Sequence, residues 1–230
     1  MPRAPKTWPA DWTMADLLEH FGGISPRRIR LNPPPGTATE QDVIDIQTHE
    51  DRLYELVDGV LVEKVMGFPE STLTCQLIRL LGNYVEEKEL GILAGADGTV
   101  RLMPGLVRIP DISFVSWRQL PRHEVPSDPI PDLAPDLAIE VLREGNTRGE
   151  MNRKLKDYFL AGVRLVWYVD PRRQTVRVYT APDRCTRLRM GDTLDGGDVL
   201  PGFRLPLRKL FAKVGRPRAA RAGKKGKGKS

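Results

Sequence analysis

Cysteine is nearly missing. Cys75 and Cys185 are the two thiols in 230 residues, far apart and in no CxxC arrangement. That excludes a disulfide framework, and two lone thiols read as ordinary buried residues. Histidine is as sparse: His20, His49 and His123 lack the close spacing of zinc ligands, which excludes a structural zinc site. No run of about 18 apolar residues occurs, so nothing is expected to span a membrane. The first residues, MPRAPKTWPADW, lack the apolar stretch of a secretory signal. These absences point to a soluble, cytoplasmic protein.

Acidic residues are missing from one segment only. Residues 213–230 carry eight lysines and arginines and no acid, while the other 212 residues hold 28 basic and 30 acidic groups, a net of −2. The overall charge of +6 is therefore a property of the tail. Rich in Gly, Lys, Arg and Ala, the tail cannot bury a core and is expected to be disordered. Its GKKGKGKS ending lacks the glycine spacing of a phosphate-binding loop.

With 40% hydrophobic residues the remainder can build a core. Residues 1–48 read as an N-terminal extension, with a short helix near Met14–Phe21 capped by Thr13 and a proline-rich linker around Pro33-Pro34-Pro35-Gly36. The organised domain is placed at 49–212. Its first signal is a hairpin, Leu53–Val57 and Val60–Val65 about Asp58-Gly59, a pair suited to positive φ. Leu73, Leu77, Leu80, Leu81 and Tyr84 then recur at helical spacing, predicting a helix over 70–89 ended by Gly91. Strands are predicted at 99–103, 111–117 and 137–142. A helix follows, with Thr147 and Glu150 as a capping box and Gly162 as its C-terminal glycine. Strands at 163–169 and 175–180 complete the pattern. The order implies an α/β or α+β domain with a mixed sheet flanked by helices.

Two carboxylates stand out. Asp111 opens a strand after Pro110, and Glu140 lies inside the apolar run LAIEVL. Alternation puts Leu137, Ile139 and Val141 on one face and Ala138, Glu140 and Leu142 on the other. A carboxylate inside such a strand is costly to bury without a partner, and a divalent cation shared with Asp111 would supply one. The plainer alternative is a turn aspartate and a solvent-facing glutamate on an edge strand.

From Tyr54 to Thr180 the chain resembles the Uma-type "putative restriction endonuclease" family, a branch of the PD-(D/E)XK nucleases. The pieces that carry the resemblance are YELVDG at 54–59, PDIS at 110–113, IEVL at 139–142, KLKDY at 154–158, AGV at 161–163 and VWYVDP at 166–171, in that order. The resemblance implies a restriction-endonuclease-like fold in which Asp111 and Glu140 bind Mg²⁺, with Mn²⁺ as a substitute. It also implies a phosphodiesterase acting on nucleic acid, most naturally DNA. Glu55 is either a third acid or a surface residue of the hairpin, and Glu86 and Glu87 are rivals for that place. One departure is clear: the superfamily's strand lysine, two residues after the second acid, is Leu142 here. Lys154, flanking the buried stripe of the following helix, is the replacement, unless it is simply a solvated helix charge. The alternative to an endonuclease is a nuclease-like domain that binds nucleic acid or a protein without cutting. Whether the chain forms a homodimer is left open.

Overall fold

The computed structural model describes residues 11–212. The basic tail at 213–230 lies outside the described residues, and so does the start of the chain.

The first elements are α1 (Met14–His20) and α2 (Glu40–Glu50), each opened by a full capping box, Thr13 with Asp16 and Thr39 with Asp42. Strands β1 (Tyr54–Val57) and β2 (Val60–Glu63) form the expected hairpin. Asp58 and Gly59 take φ of 50° and 72°, as a tight two-residue turn demands. The long helix α3 (Phe68–Glu87) follows, burying Leu73, Leu77, Leu81 and Val85 at helical spacing. Then come β3 (Gly91–Ala94), β4 (Val100–Met103), β5 (Leu106–Arg108), β6 (Ile112–Ser116) and β7 (Leu137–Val141). Helix α4 (Arg148–Leu160) leads to β8 (Leu165–Asp170), β9 (Thr175–Ala181) and β10 (Arg184–Leu188). The described chain closes with β11 (Thr193–Asp195), β12 (Arg204–Pro206) and a short α5 (Leu207–Phe211).

Three sheets result among the described residues. The largest has the order β10-β9-β8-β7-β6-β3, and its β7–β8 pair is parallel, joined by α4 as a parallel pair requires. A four-stranded sheet, β2-β1-β5-β4, lies beside it, and β11 pairs with β12. On the large sheet Leu137, Ile139 and Val141 of β7 pack in one cluster with the α3 leucines and α5. Ala138, Tyr168 and Tyr179 face the other way, onto Met151, Leu155 and Tyr158 of α4. Glu140 shares that second face and sits on a central strand between β6 and β8. It is buried, so the edge-strand alternative does not hold.

Four expectations need correction. Residues 11–48 are integral to the body: Leu17, Phe21, Ile24 and Ile29 are buried in the α4-side cluster, and Val43 and Ile46 in a third one around β1. Their helices are short, and α2 carries few apolar residues, so periodicity does not announce them. Gly91 does not end α3; it opens β3, where a Cβ would overlap the backbone of Val115 and Ser116. The capping box at α4 is half made, because Thr147 accepts from the Glu150 N–H while the Glu150 carboxylate turns to Arg28 at 2.6 Å. Both cysteines are exposed, not buried. Among the described residues no helix is long and apolar enough to cross a membrane.

Candidate active site

The site grows from the two larger β-sheets and one helix, α4. Asp111 precedes β6, and the Val141 N–H donates to its Oδ2 at 2.6 Å, tying it to the end of β7. Glu140 projects from β7 toward α4. Helix α4 brings Lys154 and Tyr158, one turn apart, onto it: Lys154 Nζ is 2.9 Å from Glu140 Oε1, and the Tyr158 hydroxyl donates to the same oxygen at 2.5 Å. Glu55, on β1, meets Lys154 at 2.8 Å and Arg108 of β5 at 2.8 Å. Arg108 also pairs with Asp157 of α4.

Sequence reasoning missed one residue that lies close to both strand carboxylates. Lys64, just past β2, places Nζ 2.6 Å from Asp111 Oδ1 and 3.6 Å from Glu140 Oε2, and donates to the Ile109 carbonyl at 2.6 Å. In the sequence it is an ordinary hairpin-end charge. Its direction is visible only once β2 is set against the Ile109–Asp111 segment. Arg108 and Tyr158 escape notice for the same reason, the latter reading as part of an apolar stripe. Glu86 and Glu87 are exposed at the end of α3, so Glu55 is the acid that the fold brings to the group. Leu142 packs partly buried in the cluster of α4, against the helix that carries Lys154.

Three carboxylates and three cations thus meet here; Asp111 and Glu140 are 4% and 5% exposed, and the Lys64 side chain is 7% exposed. Desolvation costs each ion several kcal/mol and is offset only by close opposite charge and hydrogen bonds. The outcome differs by residue. Burial raises the Asp111 carboxyl above its ordinary range, aided by the Glu140 charge and opposed by Lys64. Burial would raise Glu140 and Glu55 too, but Lys154 and Lys64 hold Glu140 below its usual value, and Lys154, Arg108 and Lys64 hold Glu55 well below. Tyr158 is pushed well above its ordinary value by burial and then by Glu140, so it stays a hydrogen-bond donor. Neighbouring carboxyls driven apart in this way mark a candidate functional site.

A cavity of about 20 Å³, room for a water or an ion, opens on Asp111, Glu140, Lys64 and Lys154. No group of three His, Cys, Asp or Glu side chains suited to a metal occurs among the described residues. The two hard carboxylates nonetheless fit Mg²⁺, which commonly takes one or two carboxylates and fills its other positions with water and phosphate oxygens.

A family model described as "Uma2: Putative restriction endonuclease" matches residues 41–208. The chain belongs to the Uma2 family. The crystal structure of a "putative nuclease belonging to DUF820" from Anabaena variabilis superposes with a TM-score of 0.64 at 19% identity, over 71% of this chain and 92% of that one. That likeness shows the fold, and the expected mixed α+β, restriction-endonuclease-like architecture is the one found. No curated protein matches the chain. The Uma2 match reaches from within α2 to α5, so it spans every residue of the site.

Proposed function

We propose that the chain is a metal-dependent endonuclease that hydrolyses phosphodiester bonds in DNA. One observation carries the reading: Asp111 Oδ1 and Glu140 Oε2 converge on a single cation, Lys64 Nζ, at the edge of a cavity that both carboxylates line. Asp111 and Glu140 would hold Mg²⁺, or Mn²⁺ in its place. Such an ion, when bound, lowers the pKa of a water and stabilises charge on a phosphoryl oxygen. Lys154, fixed between Glu55 and Glu140, orients the attacking water. Glu55 is the third acid and keeps Lys154 in position. With an ion held by the two carboxylates, Lys64 would be free to turn its ammonium to a phosphate oxygen.

A non-cleaving, nucleic-acid-binding domain is the second reading. It is favoured by Leu142 standing where a strand lysine is expected, and by an ammonium already neutralising both carboxylates. Purified full-length protein with DNA and RNA substrates, in Mg²⁺, Mn²⁺ or chelator, separates the two. DNA cleavage is expected in either metal and lost on chelation, in Asp111→Ala and in Glu140→Ala. Near-normal cutting by either folded variant would falsify the assignment. Metal binding by calorimetry without cutting of any substrate would favour the second reading.

A further inference from the structure

One row of residues in register crosses the large sheet: Glu140 on β7, Tyr168 on β8, Arg177 on β9 and Arg187 on β10. Residues paired across neighbouring strands stand on the same face, so both arginines lie on the α4 side with Glu140. At about 4.8 Å per strand, Arg177 is roughly 10 Å and Arg187 roughly 14 Å from the catalytic strand. The Arg177 guanidinium lies 5.5 Å from the centre of the Tyr168 ring. Like charges set directly opposite each other destabilise a strand pair. Here no carboxylate relieves them: among the described residues neither arginine makes an ion pair.

The two arginines belong to a larger cleft of about 590 Å³, which Arg143, Arg148, Arg172 and Arg173 also line. Arg172 is paired with Glu144, and Arg173 with Asp170 at 3.0 Å. Arg143 and Arg148, like Arg177 and Arg187, carry no ion pair among the described residues. Arg143 and Asn146 line both this cleft and the cavity at Asp111 and Glu140, so the two adjoin.

We propose that this arginine cleft is the track along which the phosphate backbone of duplex DNA reaches Asp111 and Glu140. The proposal rests on the nuclease reading and adds to it the surface that holds substrate. Every basic residue in the cleft is arginine, whose planar fork matches phosphate oxygens and which sheds water more readily than lysine. A single strand would call for aromatic platforms under its bases, and among the described residues no aromatic ring lines the cleft. The unrelieved Arg177–Arg187 pair costs stability in the free protein and is relieved when an anion binds.

The test is anisotropy titration of the full chain with a fluorescent duplex, in chelator without metal, across a range of KCl. Arg177→Gln/Arg187→Gln should bind at least about tenfold more weakly, and its log–log salt slope should fall by about 1.8, from roughly 0.9 for each neutralised phosphate. Arg187→Gln alone, on an exposed edge strand, should show about half that change in slope. The control is Arg208→Gln/Lys209→Gln, an equal charge loss on α5, which packs on the opposite face of the sheet. It should leave slope and affinity near wild type. Three results overturn the proposal: unchanged slope in the cleft variant, an equal loss in the α5 variant, or single strands bound more tightly than duplex. Because the assay contains no metal and reads no cleavage, it is independent of the catalytic assignment. A protein that binds through the cleft but never cuts in Mg²⁺ or Mn²⁺ loses only the nuclease reading. One that cuts with the cleft variant unimpaired loses only the cleft.

Discussion

Burial pushes the Asp111 carboxyl up while Lys64 pulls it down. Only the ionised form can hold a metal, so cleavage should rise with pH through a window above the ordinary aspartate value of 3.8. Lys64→Met removes the opposing attraction and should move that limb to higher pH, measured as kcat/KM against pH. A limb that stays put or moves to lower pH would show that Asp111 is not the group being read. Glu55 and Glu140 have the opposite sign: depressed in the folded protein, they stabilise it above the ordinary glutamate value of 4.5 and lose that contribution as pH falls through their depressed values. Lys154 is buried against both. Lys154→Ala should abolish single-turnover cleavage and cost about 3–5 kcal/mol of stability in a urea titration, since two glutamates lose a buried partner. Adding Leu142→Lys should restore part of the activity, because residue 142 lies just past β7, two residues after Glu140, and packs on the same α4 side. Full activity in Lys154→Ala would remove the lysine from the mechanism. At this scale the sequence exposes Asp111 and Glu140, because a carboxylate in an apolar strand breaks the local pattern. Lys64 and Arg108 break no pattern; only the pairing of strands distant in sequence gives them a role.

Helix α4 carries Lys154 and Tyr158, and its start is fixed by the N-terminal segment. Gly22 has φ of 74° and its backbone lies against Gly149, so closely that a Cβ on either would overlap the other. The Thr147 hydroxyl donates to the Gly22 carbonyl at 2.6 Å, and Arg28 pairs with buried Glu150. Gly22→Ala combines a strained backbone with a clash and should cost about 1–3 kcal/mol in thermal or urea unfolding. It should also lower kcat, because α4 must shift. A variant as stable and active as wild type would mean that the close approach does not position the helix. Elements with strong periodicity are readable here: α3, α4 and the apolar strands β7 and β8 fall near their predicted bounds. The docking of the α1 and α2 segments is not, since two glycines that meet from distant parts of the chain leave no local signature.

Across the molecule, charge is divided between a near-neutral body and eight basic residues at 213–230. The composition makes this plain, whereas the arginine cleft is hidden, because its six arginines lie between positions 143 and 187 and acids intersperse them in sequence. Folding separates the two signs: Glu144 and Asp170 each take one arginine, and Arg177 and Arg187 are left facing each other across β9 and β10. Tail and cleft should therefore act differently on nucleic acid. Deleting 213–230 should weaken duplex binding uniformly across sequences, with the salt slope falling by roughly 0.9 for each phosphate that the tail no longer neutralises. Cleavage at saturating substrate should be retained, since every residue placed at the site lies between Glu55 and Tyr158. The cleft variant lacks only two charges, yet it should reduce both binding and the rate at saturation, because it removes arginines that align the scissile phosphate with Asp111 and Glu140. Measuring kcat and KM for the truncation and for Arg177→Gln/Arg187→Gln distinguishes these roles. A truncation that lowers kcat as much as KM is raised would place the tail in substrate alignment, and an unchanged salt slope after truncation would make it a bystander.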